Sequence, residues 1–194
     1  MGYCIKGIAC VALFLAAFST QAQSLADVVG KGDTIGALKL IRSGANVNEV
    51  DANGSTPLMT ACRWADLAMV KLLLANGANA NQPRTAKGRT PLMVACAYYS
   101  GILITKALVE KGADVNAVAN DGTTALMLAA KNAKLDVVEY LLSHGAEPSH
   151  KDAAGSTALD QAKLADVSDY LKQSVKDCQL NKDAVIARLT PITH

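Results

Sequence analysis

A chain of 194 residues, 51% of them apolar, is short enough for one domain and long enough to bury a core. Only 4% are aromatic, so the interior has to be built from Ala, Leu, Val and Met. Its 19 basic and 17 acidic residues nearly cancel and form no basic stripe, which argues against nucleic acid or an anionic membrane as partner, because phosphate affinity is largely electrostatic.

The first 22 residues differ in composition from the rest of the chain. "MGYCIKG" carries one lysine, "IACVALFLAAF" is a run of eleven apolar residues, and "STQAQ" supplies small residues at Thr20 and Ala22. This is a secretory signal layout, with cleavage expected after Ala22. A membrane span needs about 20 apolar residues, so the run is too short for one. A buried N-terminal helix is the competing reading. A lipid-bearing cysteine would come after the apolar run, and Cys4 and Cys10 do not. The expectation is therefore export across the inner membrane to the periplasm, with no stable membrane anchor after cleavage.

From residue 24 onward the chain repeats itself. Residues 54–62 read "GSTPLMTAC", 88–96 "GRTPLMVAC" and 122–130 "GTTALMLAA". Thr56, Thr90, Thr124 and Thr157 are spaced by 34, 34 and 33 residues, and Gly44, Gly77, Gly112 and Gly145 by 33, 35 and 33. Two independent markers thus share a period of about 33 residues. A degenerate copy, "GDTIGALKLIRSGANVN", comes first, and another, "GSTALDQAKLADVSDYLKQ", comes last. The layout is a signal segment at 1–22, about five repeats over 23–177, and a capping or flexible segment at 178–194. That last segment has a short helical pattern from Val185 to Leu189.

Each unit predicts two helices. Thr56 before Pro57 suits a helix start, since the hydroxyl accepts an orphan N–H bond and proline lacks the donor that position would waste. Leu58, Ala61 and Cys62 then give a narrow face of small side chains. "DLAMVKLLLANG" predicts a second helix through Leu67, Val70, Leu73 and Leu74, and Leu135, Val138, Leu141 and Leu142 repeat that pattern. Gly77 and Gly145 come next, where a left-handed cap is expected. "ANANQPRTAKG" and "ADVNAVANDG" read as turn-rich connectors. No unit can bury both faces alone, so the fold class is an all-α solenoid of helix-turn-helix units with hairpin-like connectors. Cys62 and Cys96 occupy one place in successive layers, roughly 10 Å apart, beyond the ~7 Å a disulfide allows. Both are read as small buried hydrophobes. Cys178 is assigned neither way.

"GSTPLM…AC…VKLLLANGANAN" and "DGTTALMLAAKNAKLDVVEYLLSHGAEPS" resemble ankyrin repeats over nearly the whole mature chain. One departure is systematic: the histidine of the family's TPLH motif is Met59, Met93 and Met127 here, so packing must replace its hydrogen bonds. The third copy has an extra residue near "AYYSG", and the last has a shortened helix connection near "AKLAD". The resemblance implies a non-enzymatic scaffold, a monomer that binds a protein partner through a concave groove. Small exported bacterial members suggest toxin immunity or support of an oxidative-stress enzyme. An enzyme or a purely structural spacer on the same scaffold are the alternatives.

Chemistry finds little foothold. His144, His150 and His194 show no metal-ligand spacing, and neither a phosphate-cradling loop nor a nucleophile elbow is present. Asp160, Asp166 and Asp169 read as a solvated cap. No cofactor or metal is implied. Asn53, in "NGS", matches a glycosylation acceptor, which in a bacterial export route is simply a turn.

The groove residues emerge from superposing the copies. Eight residues after each threonine stand Trp64, Tyr98 and Asn132, one place earlier Arg63, Ala97 and Lys131, with Tyr99 alongside. In the family, that helix end and the connector tips line the groove. The tips add Glu49, Asp51, Gln82, Arg84, Lys87, Asn120 and Asp121, with Arg89 after Gly88. Trp, Tyr and Arg dominate interface hot spots. The binding candidates are Arg63, Trp64, Arg84, Lys87, Arg89, Tyr98, Tyr99, Asn120, Asp121, Lys131 and Asn132. The bland alternative is that Trp64 and Tyr98 fill core edges.

Overall fold

Every central layer begins at a threonine, and the local chemistry there sets the direction of its inner helix. The computed structural model describes residues 23–84, 86–98, 101–164 and 175–190, with side chains of the last stretch from 182 onward. Among these are ten helices and no strand: α1 (Leu25–Gly30), α2 (Thr34–Arg42), α3 (Pro57–Arg63), α4 (Leu67–Ala75), α5 (Pro91–Ala97), α6 (Ile102–Glu110), α7 (Ala125–Lys131), α8 (Leu135–Ser143), α9 (Ala158–Leu164) and α10 (Val175–Leu189).

The threonine turns are equivalent. The hydroxyls of Thr56, Thr90 and Thr124 accept the N–H groups of Met59, Met93 and Met127 at 3.2, 3.4 and 3.3 Å. Pro57 and Pro91 fill the first helical position, where a missing donor costs nothing. Thr157 makes a reciprocal cap: its hydroxyl accepts the Asp160 N–H at 3.3 Å, while its own N–H and O–H donate to the Asp160 carboxylate at 3.0 and 2.7 Å. These bonds, backbone first, hold the Asp160 carboxyl below the usual carboxylate range. That carboxylate is therefore a cap, while Asp166 and Asp169 lie outside the described residues.

Each outer helix is nine residues long and ends in the same way. Gly44, Gly77, Gly112 and Gly145 adopt φ of 96, 86, 83 and 85°, which a side chain would resist. The alanine after each glycine then donates to a leucine carbonyl one turn back, Ala45 to Leu40, Ala78 to Leu73, Ala113 to Leu108 and Ala146 to Leu141, each at 3.0 Å.

The layers stack inner helix on inner helix and outer on outer: α3, α5, α7 and α9 form one file, α2, α4, α6 and α8 the other. Leu58, Met59 and Cys62 of one layer, Leu92, Met93 and Cys96 of the next, and Leu126, Met127 and Ala130 of the third are all fully buried. Such a Leu or Met contributes about 1.5–3 kcal/mol by leaving water. The three methionines fill the histidine position by packing. Cys62 and Cys96 are buried thiols and form no disulfide.

A polar ladder runs beside this core. The Asn48 amide donates to the Gly77 carbonyl at 3.2 Å and accepts the Asn79 N–H at 2.7 Å. Asn81 does the same to Gly112 and Asp114 (2.8 and 2.8 Å), and Asn116 to Gly145 and Glu147 (2.8 and 3.0 Å). Each asparagine thus ties its own connector to the helix cap of the next layer. Ser149 stands at the next position in this series, and the ladder ends there.

The ends differ from the middle. The first layer has an inner helix of its own, α1, started by a reciprocal cap between Ser24 and Asp27 (3.1 and 3.2 Å). The connection near "AKLAD" falls partly in residues 165–174, outside the described residues. Beyond it, α10 runs through residue 178 and packs on α9 and α8, burying Val185 and Leu189.

Candidate functional site

The 35-residue step from Gly77 to Gly112 holds two extra residues, and the structure separates them. One lies between α5 and α6, where residues 98–101 replace the three residues 64–66 of the preceding layer. The other lies in the connector tip before α5. The first tip turns from Asp51 to Gly54, with the Gly54 N–H on the Asp51 carbonyl at 2.8 Å. The second turns from Arg84 to Gly88, with the Gly88 N–H on the Arg84 carbonyl at 2.8 Å. The spacing of the repeats identified the first insertion and missed the second.

The connectors fold as short hairpin-like tips that touch one another. The Asp51 N–H donates to the Ser55 carbonyl at 2.9 Å, and Arg84 to Arg89, Ala119 to Thr123 and Asp152 to Ser156 repeat that closure. Between tips, Arg84 Nε donates to the Asn53 carbonyl at 3.1 Å, the Asn120 N–H to the Lys87 carbonyl at 3.1 Å, and the Ala153 N–H to the Asp121 carbonyl at 3.0 Å. Gly88 (φ 66°) is required at its tip, because an added Cβ would meet the Asn120 Oδ1 at 2.3 Å and its N at 3.0 Å. Arg89 reaches Asp121 at 3.8 Å. Hydrogen bonding from Thr123 holds the Asp121 carboxyl below the usual range, and Arg89 adds to this.

Opposite the tips are the C-terminal ends of the inner helices. Trp64 caps α3 and is 68% exposed; Tyr98 caps α5 and is 39% exposed. Their backbones differ: Trp64 sits near φ −84°, ψ 2°, whereas the inserted residue leaves Tyr98 extended at φ −110°, ψ −170°. The Tyr98 ring lies beneath the guanidinium of Arg63 from the neighbouring layer, 5.3 Å from Arg63 Cζ to the ring centroid. This cation–π contact joins the two aromatic positions across the layers. Lys131 is exposed at the end of α7. Tyr99 lies outside the described residues.

Asn132 shares the sequence position of Trp64 and does something else. Its amide donates to the carbonyls of Cys96, Ala97 and Leu128 at 3.1, 3.4 and 2.8 Å. Lys134 Nζ joins it, donating to Ala95 at 3.1 Å and to the Tyr98 carbonyl. Together they satisfy carbonyls at the end of α5, where the extended Tyr98 departs from the turn made by Trp64 and Asn132. Partial burial lowers the Lys134 ammonium's affinity for its proton. The two residues thus brace the Tyr98 loop from the next layer. Superposing the copies in sequence missed Lys134, since in α4 the same N-cap place is held by Asp66.

At the N-terminal end, the first tip and the inner helices enclose an open cleft of about 490 Å³. Glu49, Val50, Asp51 and Asn53 from the tip, Asp27 from α1 and Arg63 from α3 line it together. The first tip and the last residue of α3 therefore share this cleft. Asp27 carries no repeat signature, which is why the repeat pattern passes over it. Of the histidines, His144 bonds the Tyr140 carbonyl through Nδ1 at 2.8 Å and stacks on its ring at 4.0 Å. His150 Nε2 bonds the Gly122 carbonyl at 3.2 Å. His194 lies outside the described residues.

The model of ankyrin repeats in three copies matches residues 25–119, 78–152 and 97–182. The chain belongs to the ankyrin-repeat family. It is 34% identical over 142 residues to neurogenic locus notch homolog protein 1 of Xenopus tropicalis, covering 70% of this chain and 6% of that protein. It is 30% identical over 176 residues to protein glp-1 of Caenorhabditis elegans, covering 81% and 13%. A putative ankyrin repeat protein of Fowlpox virus is 32% identical over 158 residues, covering 74% and 46%. The chain thus spans less than half the length of each of these relatives. Ankyrin repeats are general protein–protein interaction modules, typically without catalytic activity. No helix among the described residues is long and apolar enough to cross a membrane.

Proposed function

We propose that this ankyrin chain is an exported, periplasmic, non-catalytic scaffold. It binds one protein partner, as a monomer, through the concave groove between connector tips and inner-helix ends. The observation that carries the reading is the exposure of Trp64 (68%) and Tyr98 (39%) on adjacent layers of a chain with a single tryptophan. Large aromatic side chains left in water at a groove edge are a store of binding energy. In this reading Arg63, whose guanidinium lies over Tyr98, and Lys131 flank them on the helix side, and Arg84, Lys87, Arg89, Asn120 and Asp121 complete the surface from the tips. Export is supported by the composition of residues 1–22, and N-terminal sequencing of the exported chain should begin at Gln23. Binding would act either by blocking the partner, as an immunity protein does, or by supporting a stress enzyme.

The test is a Trp64→Ala/Tyr98→Ala double variant used as bait in the exporting compartment beside the wild-type chain. The expected outcome is loss of the partner retained by wild type, with an unchanged melting temperature. Retained binding together with a collapsed melting temperature would return both rings to the core and overturn the groove reading.

A further inference from the structure

We propose that the segment this groove takes is acidic: a stretch of partner chain whose carboxylates meet Arg84, Lys87 and Lys131 while an apolar side chain rests on Trp64 and Tyr98. The inference rests on the groove reading above and names the partner's chemistry.

Charge changes sign along the groove. The cleft at its N-terminal end is lined by three carboxylates, Asp27, Glu49 and Asp51, against one cation, Arg63. One layer on, the tip lengthened by its extra residue carries Arg84, Lys87 and Arg89 within six positions. Few of these charges are answered inside the fold. Arg89 has Asp121, at a long 3.8 Å. The Arg84 Nε is held by a neutral carbonyl. Lys87 and Lys131 are exposed and have no described carboxylate within ion-pair reach. Arg63 lies over an aromatic ring, and the buried Nε atoms of both Arg63 and Arg89 have no acceptor. Those two atoms are shielded by the protein, so the cations open to a partner's carboxylates are Arg84, Lys87 and Lys131.

A nucleic acid fits less well. A duplex carries a negative charge about every 1.7 Å along its axis, so one long enough to cross two layers would also face Asp27, Glu49 and Asp51. A protein segment can be acidic where it crosses the second tip and neutral or basic where it crosses the first. Exposed ion pairs are individually weak, so the cations set association rate and salt dependence, and the two aromatic rings set most of the affinity.

The test is selection of random peptides displayed on phage against the immobilised full chain. Two charge-reversed chains, Arg84→Glu/Lys87→Glu and Lys87→Glu/Lys131→Glu, and the Trp64→Ala/Tyr98→Ala chain are screened in parallel. The side chains of the second charge pair take part in no described hydrogen bond, so that variant stays informative if loss of the Arg84–Asn53 bond disturbs the tip. The expected result is enrichment of acidic peptides that each charge-reversed chain binds on the order of tenfold more weakly, with added salt weakening wild type in the same way. Neutral or basic peptides that still need Trp64 and Tyr98 would overturn the acidic segment and leave the groove reading standing. Peptides indifferent to all three variants would sink both. Displacement of the acidic peptides by a short oligoribonucleotide at lower concentration would overturn the proposal in favour of a nucleic acid, and no enrichment over background would also overturn it.

Discussion

Replacing Asn81 by alanine removes one rung of the ladder that joins layers. Two bonds are lost, from the amide to the Gly112 carbonyl and from the Asp114 N–H to the amide oxygen, both 2.8 Å. A net hydrogen bond is worth about 0.5–1.5 kcal/mol, and here water can reach the abandoned groups, which places the total at about 1–2 kcal/mol. In a domain of this size that lowers the melting temperature by roughly 2–8 °C. Urea unfolding followed by far-ultraviolet circular dichroism measures it. Asn53→Ala is the control, since the Asn53 side chain makes no described bond, and it should stay within about 0.5 kcal/mol of wild type. Asn81→Asp separates the two bonds. It keeps the acceptor for Asp114 but sets a carboxylate against the Gly112 carbonyl, so at neutral pH it should cost at least as much as alanine. If Asn81→Ala proves no more costly than Asn53→Ala, the ladder is decorative and the layers are held by apolar packing alone.

Other positions give sharper single outcomes. Thr105 is fully buried with a hydroxyl that finds no partner, so Thr105→Val should stabilise by about 1 kcal/mol, read as a rise in melting temperature. Gly88→Ala should destabilise by about 1–3 kcal/mol in denaturant titration, through its positive φ and the collision with Asn120. Burial pushes the Cys96 thiol up to about 12 and raises Cys62 as well. Because the folded values lie above the unfolded value of about 8.5, their stabilisation is complete below that pH and lost as pH rises through the window above it. Wild-type stability should therefore fall more steeply above pH ~8.5 than that of Cys62→Ala/Cys96→Ala, by at most about 1.4 kcal/mol per pH unit per thiol. Equal slopes in the two proteins would refute the assignment.

What could be read before the structure was whatever repeats at a fixed offset and acts locally. Thr56, Thr90 and Thr124 bond only three residues ahead, and Gly77 and Gly145 answer to their own helix, so short sequence windows contain their whole cause. The polar ladder was not legible because Asn48, Asn81 and Asn116 act on the next layer, about thirty residues away, while in sequence they look like ordinary turn residues. The helix α1 was hidden because its Ser24–Asp27 cap lacks the Thr-Pro-Leu start of the central layers. Asn132 illustrates the opposite error: sequence superposition groups it with Trp64 and Tyr98, but its amide turns inward to carbonyls at the Tyr98 insertion. The exposure of Trp64 and Tyr98 is a tertiary fact, because an aromatic at a helix end can face core or solvent with the same spacing.

Amide hydrogen exchange on the chain, with and without its captured partner, tests the central claim most directly. Groove binding predicts slowed exchange at the ends of α3 and α5 and in the tips around residues 49–54 and 84–89, with α4 and α6 unchanged. Slowing confined to the outer helices, with the Trp64 and Tyr98 segments exchanging as before, would contradict it.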